Sequence, residues 1–197
     1  MTTEWSFALA GAGAGLALSV GLETIYASLR RRFVGEATIA SHFSPKGGCT
    51  EAIIAELRLA RREILVQAYS FSCKLIAQAL IDAADRGVAV RILLDKSNEK
   101  ESYSEIGDLK QYQIELLIDA CHAIAHNKIM LIDGQTLLTG SFNFTRQAEL
   151  ENAENLLVLK GHRELFERYR QNFFVHHQHC QAPGEVTHGH TIRLKAG

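Results

Sequence analysis

One short block of the chain gathers residues able to act together on a phosphate. His126 and Lys128 are two apart, four residues separate Lys128 from Asp133, and Gly140-Ser141-Phe142-Asn143 begins after a further six. Glu154-Asn155 lies beyond. Residues two apart in a strand face the same side, so His126 and Lys128 can enter one pocket. Ser141 and Asn143 can do likewise from the end of a neighbouring strand. An imidazole can attack phosphorus and carry the phosphoryl group covalently, which divides one difficult displacement into two easier ones. Lys128 and Asn143 can donate hydrogen bonds to the non-bridging oxygens, where negative charge develops. A carboxylate can hold the imidazole in the tautomer that attack requires. No carboxylate cluster suited to Mg²⁺ lies near this block, so the side chains must supply the positive charge. No metal ligands and no cofactor are assigned.

Alternating strand and helix patterns must position these groups. Ala37 to Phe43 reads as a strand, stopped by the turn Ser44-Pro45-Lys46-Gly47-Gly48. Thr50 is the expected N-cap of a helix through Arg61, whose apolar positions Ile53, Ile54, Leu57 and Ala60 follow helical spacing. Ile64 to Tyr69 and Val88 to Leu94 read as buried strands around an amphipathic helix, Lys74 to Arg86, closed by Gly87. Ser97 to Tyr112 is polar and suits a loop with a short helix. Ile114 to Ile118 is a further strand. Lys128 to Ile132 and Thr136 to Leu138 form a hairpin about Asp133-Gly134. Asn155 to Leu159 and a helix from His162 to Val175 complete an α/β domain, with helices covering a largely apolar sheet.

The pattern His126-x-Lys128-x4-Asp133-x6-Gly140-Ser141-x-Asn143 resembles the full HKD signature of the phospholipase D superfamily. Thr139-Gly-Ser-Phe-Asn-Phe-Thr145, Glu154-Asn155, Phe43-Ser-Pro45 and Ala68-Tyr-Ser-Phe71 are similar to the small bacterial Nuc-type endonucleases in particular. The likeness covers residues 36 to 175. It implies a phospholipase D-like sandwich, a central mixed β-sheet flanked by helices. It also implies His126 as nucleophile, Lys128, Ser141 and Asn143 as the phosphate pocket, and Glu154 as the group that orients His126. Asp133 and Gly140 are then structural parts of the motif.

Two-domain members of that superfamily carry two such motifs, and this chain has one. His42, His122 and His162 lack a lysine at the required spacing. The resemblance therefore implies a homodimer with a shared active site, in which one His126 attacks and the other protonates the leaving oxygen. The expected function is a metal-independent phosphodiesterase, a nonspecific endonuclease on DNA or RNA that works through a phosphohistidine intermediate. A membrane-associated phospholipase D or cardiolipin hydrolase uses the same pocket chemistry. A catalytically idle protein that binds nucleic acid or lipid is a third possibility, against which the intact motif argues. Fold and motif do not choose among substrates.

Three regions follow. Residues 1–33 are read as a membrane anchor or signal segment, 34–177 as the catalytic domain and 178–197 as a polar tail. Trp5 to Leu22 is an uncharged 18-residue run, about 27 Å long as a helix. It is followed by Arg30, Arg31 and Arg32. Charge placed after the apolar run favours a retained, single-pass apolar helix through residues 5–22, with the catalytic domain on the cytoplasmic side. A cleaved signal with an exported, periplasmic enzyme is the alternative.

Net charge is −1 for the chain, and without the first 33 residues 18 basic residues face 20 acidic ones. Nucleic acid would therefore have to be met by a local patch rather than a general positive field. Arg58, Arg61, Arg62 and Lys74 could form a basic rim, but a solvated helix face is the simpler expectation. Cys49, Cys73, Cys121 and Cys180 form no C-x-x-C pair and read as inert thiols. His122 reads as a loop residue. His176, His177, His179 and Cys180 read as the start of a loose polar tail, because their own spacing matches no standard metal site.

Overall fold

The computed structural model describes residues 36–100, 109 and 112–185. The expected membrane segment, its three arginines and the last twelve residues lie outside the described residues. Among the described residues, no helix is long and apolar enough to cross a membrane.

Seven strands form one mixed sheet in the order β1-β7-β6-β5-β2-β3-β4. They are β1 (Thr38–Phe43), β2 (Glu63–Ala68), β3 (Ala89–Asp95), β4 (Ile114–Asp119), β5 (Lys128–Ile132), β6 (Thr136–Gly140) and β7 (Asn155–Lys160). β2, β3 and β4 run parallel, and the remaining neighbours pair antiparallel. Among the described residues the helices include α1 (Cys49–Leu59), α2 (Lys74–Asp85), α3 (Ser97–Lys100), α4 (Arg146–Leu150) and α5 (Arg163–His177).

The strand period of two divides the core. Ile64, Val66, Ile92, Met130 and Leu138 join Ile53, Leu57, Ile76 and Leu80 of α1 and α2 on one face. Leu65, Leu93, Leu131 and Leu137 meet Phe166 and Phe173 of α5 on the other. β5 is buried along its whole length, which explains its unbroken apolar run after Lys128.

At the three-residue β5–β6 turn, Asp133 and Gly134 both take positive φ, 54° and 78°, and Gln135 N donates to Ile132 O at 3.1 Å. The Asp133 carboxylate reaches sideways to the neighbouring chain entry. Oδ2 accepts from Arg61 N at 2.8 Å, and Oδ1 accepts from Arg62 N at 2.8 Å and Glu63 N at 3.0 Å. Arg62 returns a hydrogen bond from its guanidinium to the Asp133 carbonyl. This turn lies at the edge of the sheet opposite Lys128, so Arg61 and Arg62 do not rim the HKD block.

Two expectations need correction. Thr50 is not an N-cap: α1 begins at Cys49, after Gly48 at φ 80°. The first amides are held instead by the Glu149 carboxylate, 3.1 Å from Gly48 N and 2.8 Å from Thr50 N. An ionised acceptor offered from about a hundred residues away outcompetes a hydroxyl, and local sequence carries no trace of it. The chain after Gln178 is also not loose as far as Glu185. Gln181 and Ile118 exchange backbone hydrogen bonds of 2.7 and 3.0 Å, which ties the segment to the free edge of β4.

Candidate active site

Register brings the HKD block to one edge of the sheet. Lys128 opens β5 opposite Ala68, the last residue of β2. Gly140 ends β6 opposite Leu156, and Asn155 opens β7 opposite Phe43. The segments 126–128, 140–143 and 154–155 therefore converge where strands of opposite direction start and stop.

His126 is exposed just ahead of β5, whereas Lys128 is 6% exposed. The Lys128 ammonium lies 3.2 Å from His126 Nδ1 and 3.3 Å from Nε2, and donates to the His126 carbonyl at 3.1 Å. It can donate only to whichever ring nitrogen is unprotonated. The Tyr69 ring closes the other side, 4.4 Å from the imidazole and 4.9 Å from the ammonium. Burial lowers the pKa of Lys128, and the nearby Glu154 carboxylate opposes that shift. A phosphoryl group in front of His126 would find the ammonium within hydrogen-bond reach of its oxygens.

Gly140 is required by a close approach. At φ 154°, a Cβ there would lie 2.3 Å from Asn155 O. That carbonyl accepts from the amides of Ser141 and Phe142, both at 3.1 Å. Ser141 Oγ accepts in turn from Asn155 N at 3.0 Å, so the serine braces β7. Asn143 is half-buried, and its Oδ1 has no hydrogen-bond partner. The Glu154 carboxylate accepts from Asn152 Nδ2 at 3.2 Å through Oε1, and its backbone amide donates to Ser44 Oγ at 3.2 Å.

The sequence pattern did not single out several residues that hold this edge together. Buried Asn98 donates to Tyr69 O at 2.7 Å and accepts from Phe71 N at 3.2 Å, fixing the segment that carries the tyrosine. Buried Asp95 accepts from Ala125 N at 2.7 Å, directly before His126. Phe144 O accepts from Ser72 N and Cys73 N, both at 3.0 Å, which joins the loop after Asn143 to the same segment. The only signal available in sequence was a polar residue at or just past the end of β3.

Residues 53–176 match the family described as cardiolipin synthase, PLD-like domain. The chain is 44% identical over 141 residues to a phospholipase D of Rickettsia prowazekii, covering 72% of this chain and 68% of that one. It is 30% identical over 190 residues to a mitochondrial cardiolipin hydrolase of Xenopus laevis, covering 84% of this chain and 90% of the relative. The crystal structure of Nuc, a phospholipase D family member from Salmonella typhimurium, matches with a TM-score of 0.71 at 30% identity. That match covers 74% of this chain and 97% of Nuc. A family match over more than half the chain, joined to the same fold in a relative of this identity, places the chain in the phospholipase D superfamily, in its Nuc-type branch, as a phosphodiesterase.

Proposed function

We propose that the chain is a metal-independent endonuclease of low sequence preference, acting on DNA or RNA as a homodimer with a shared active site. The observation that carries this is the exposed His126 imidazole held 3.2 Å from a buried ammonium. The nucleophile and the charge that stabilises its transition state are placed together. Among the described residues no second imidazole contacts the His126 ring, whose aromatic neighbour is Tyr69. A general acid from a partner copy meets that need.

His126 of one chain attacks phosphorus. The bond to the leaving oxygen breaks, and His126 of the partner protonates that oxygen. Water then attacks the phosphohistidine, giving its proton to the partner imidazole, and the first histidine leaves with its electron pair. Lys128 and Asn143 hold the equatorial oxygens through both steps. Ser141 supports the pocket wall. Glu154 orients the imidazole with its carboxylate, of which Asn152 engages Oε1 alone.

A lipid substrate is the second reading, favoured by the 30% identity to the Xenopus laevis cardiolipin hydrolase over most of both chains. The test is a parallel assay of the purified chain on plasmid DNA, single-stranded RNA and cardiolipin vesicles, with exhaustive chelation, at a temperature where the protein stays folded. Nucleic acid should be cut with chelator present, and His126→Ala should abolish turnover without unfolding. Hydrolysis of cardiolipin alone establishes the second reading. A folded protein whose activity requires added Mg²⁺ refutes the mechanism, as do wild-type rates in His126→Ala.

A further inference from the structure

Four side chains that the phosphodiesterase chemistry does not use converge at the far end of β4. Asp119 closes that strand and is 1% exposed. His122 follows in the loop that leads to His126, and His176 and His179 come from the end of α5 and the turn after it. One ligand atom from each lies within 4.8 Å of every other. His122 is therefore not an isolated loop residue, and His176 and His179 do not begin a free tail.

Asp119 Oδ2 stands 3.0 Å from His122 Nδ1, 3.0 Å from His176 Nδ1 and 3.5 Å from His179 Nε2. Four nitrogen and oxygen ligands bound tetrahedrally to Zn²⁺ at about 2.0–2.1 Å are separated by about 3.3 Å. The three distances from this one oxygen bracket that edge. Hydrogen bonding alone accounts for only part of the cluster. His122 and His176 bond the carboxylate, yet His179 Nε2 is buried with no hydrogen-bond partner while it faces the same oxygen. A buried ring nitrogen left unsatisfied is costly, and a metal ion would satisfy it.

We propose that Asp119, His122, His176 and His179 form a structural Zn²⁺ site. The ligands come as two pairs, Asp119-x-x-His122 and His176-x-x-His179, from two separate segments of the chain. Three imidazoles and one carboxylate suit Zn²⁺ better than Mg²⁺ or Ca²⁺, which take mainly oxygen ligands. Four protein ligands fill the tetrahedron and leave no open position for water, so the ion is structural. It joins the loop after β4 to the end of α5. The Gln181–Ile118 bridge lies beside that junction, and Lys96 holds His122 O at 2.8 Å on the same loop. The ion thus anchors the start of the segment that presents His126.

The test uses the full chain, stripped with chelator and then dialysed against Zn²⁺. Bound zinc is read by atomic emission and the melting temperature with and without the metal. The wild type should hold one zinc per chain and melt several degrees higher with it, because an ion that binds only the folded state stabilises that state. His179→Gln and the pair His176→Gln/His179→Gln should lose both effects. His179 is partly exposed, so its single variant stays informative if Asp119→Asn fails to fold. His126→Ala and the tail variant His188→Ala/His190→Ala should keep the zinc. Undiminished zinc in the His176/His179 pair variant overturns the site. So does loss of zinc in the tail variant alone, or a wild type that binds none at micromolar concentration.

Discussion

The Asp133 carboxylate offers a sharp separation of structural from catalytic roles within one motif. It accepts three backbone hydrogen bonds, from Arg61, Arg62 and Glu63, and sits at φ 54°. Hydrogen bonds to an ionised acceptor contribute about 1.5–3 kcal/mol each, but water replaces much of that at the two exposed amides. Counting about 1 kcal/mol for those two together and about 2 for the half-buried Glu63 amide gives about 3 kcal/mol for Asp133→Ala. A left-handed alanine adds about 1 kcal/mol. At about 2–4 °C per kcal/mol for a domain of this size, the melting temperature should fall by about 8–16 °C. Asp133→Asn keeps one acceptor oxygen and tolerates the left-handed backbone, so about 1–2 kcal/mol, or about 2–8 °C, is expected. Asp133 lies at the other end of β5 from Lys128, five residues along a strand at about 3.4 Å each. In both variants, kcat/KM measured well below the transition should therefore stay within about threefold of wild type. Thermal melts by circular dichroism and a fluorogenic phosphodiester assay supply the two readouts. A loss of about 100-fold or more in kcat/KM with an unchanged melting temperature would refute this reasoning.

Two further outcomes test the site itself. If wild-type and His126→Ala chains are co-expressed and pair at random, a shared site that needs both imidazoles should lose activity as the square of the wild-type fraction. An equal mixture then keeps about a quarter of full activity, against about a half for independent sites; a linear dependence removes the shared site. Burial lowers the Lys128 pKa below the ordinary lysine value of 10.5, so the ammonium is lost as pH rises through its folded value, and activity should decline below pH 10.5. The unfolded chain keeps that proton to higher pH, so Lys128 contributes a stability that increases with pH across the same window. A pH–rate profile whose alkaline limb begins only above 10.5 would contradict the burial argument.

Much of the fold was legible in the sequence because its signals are local. The apolar runs of β2, β3 and β5, the Asp133-Gly134 turn and the Gly87 helix stop depend on neighbours a few residues away. The HKD spacing was equally legible, since the length of the β5–β6 hairpin carries Lys128 and Gly140 to the same edge, and His126 stands two residues ahead of Lys128. What the sequence could not reveal were partnerships formed across the chain. Glu149 caps α1 from about a hundred residues away, Asp133 braces Arg61 to Glu63, and Ser141 Oγ accepts from Asn155 N. Asp119 and His122 lie more than fifty residues from His176 and His179, so neither pair alone resembles a metal site. Only the packing of α5 on the sheet and the Gln181–Ile118 bridge set the two pairs around one carboxylate oxygen, because ligand geometry is a property of distance in space and is invisible to distance along the chain.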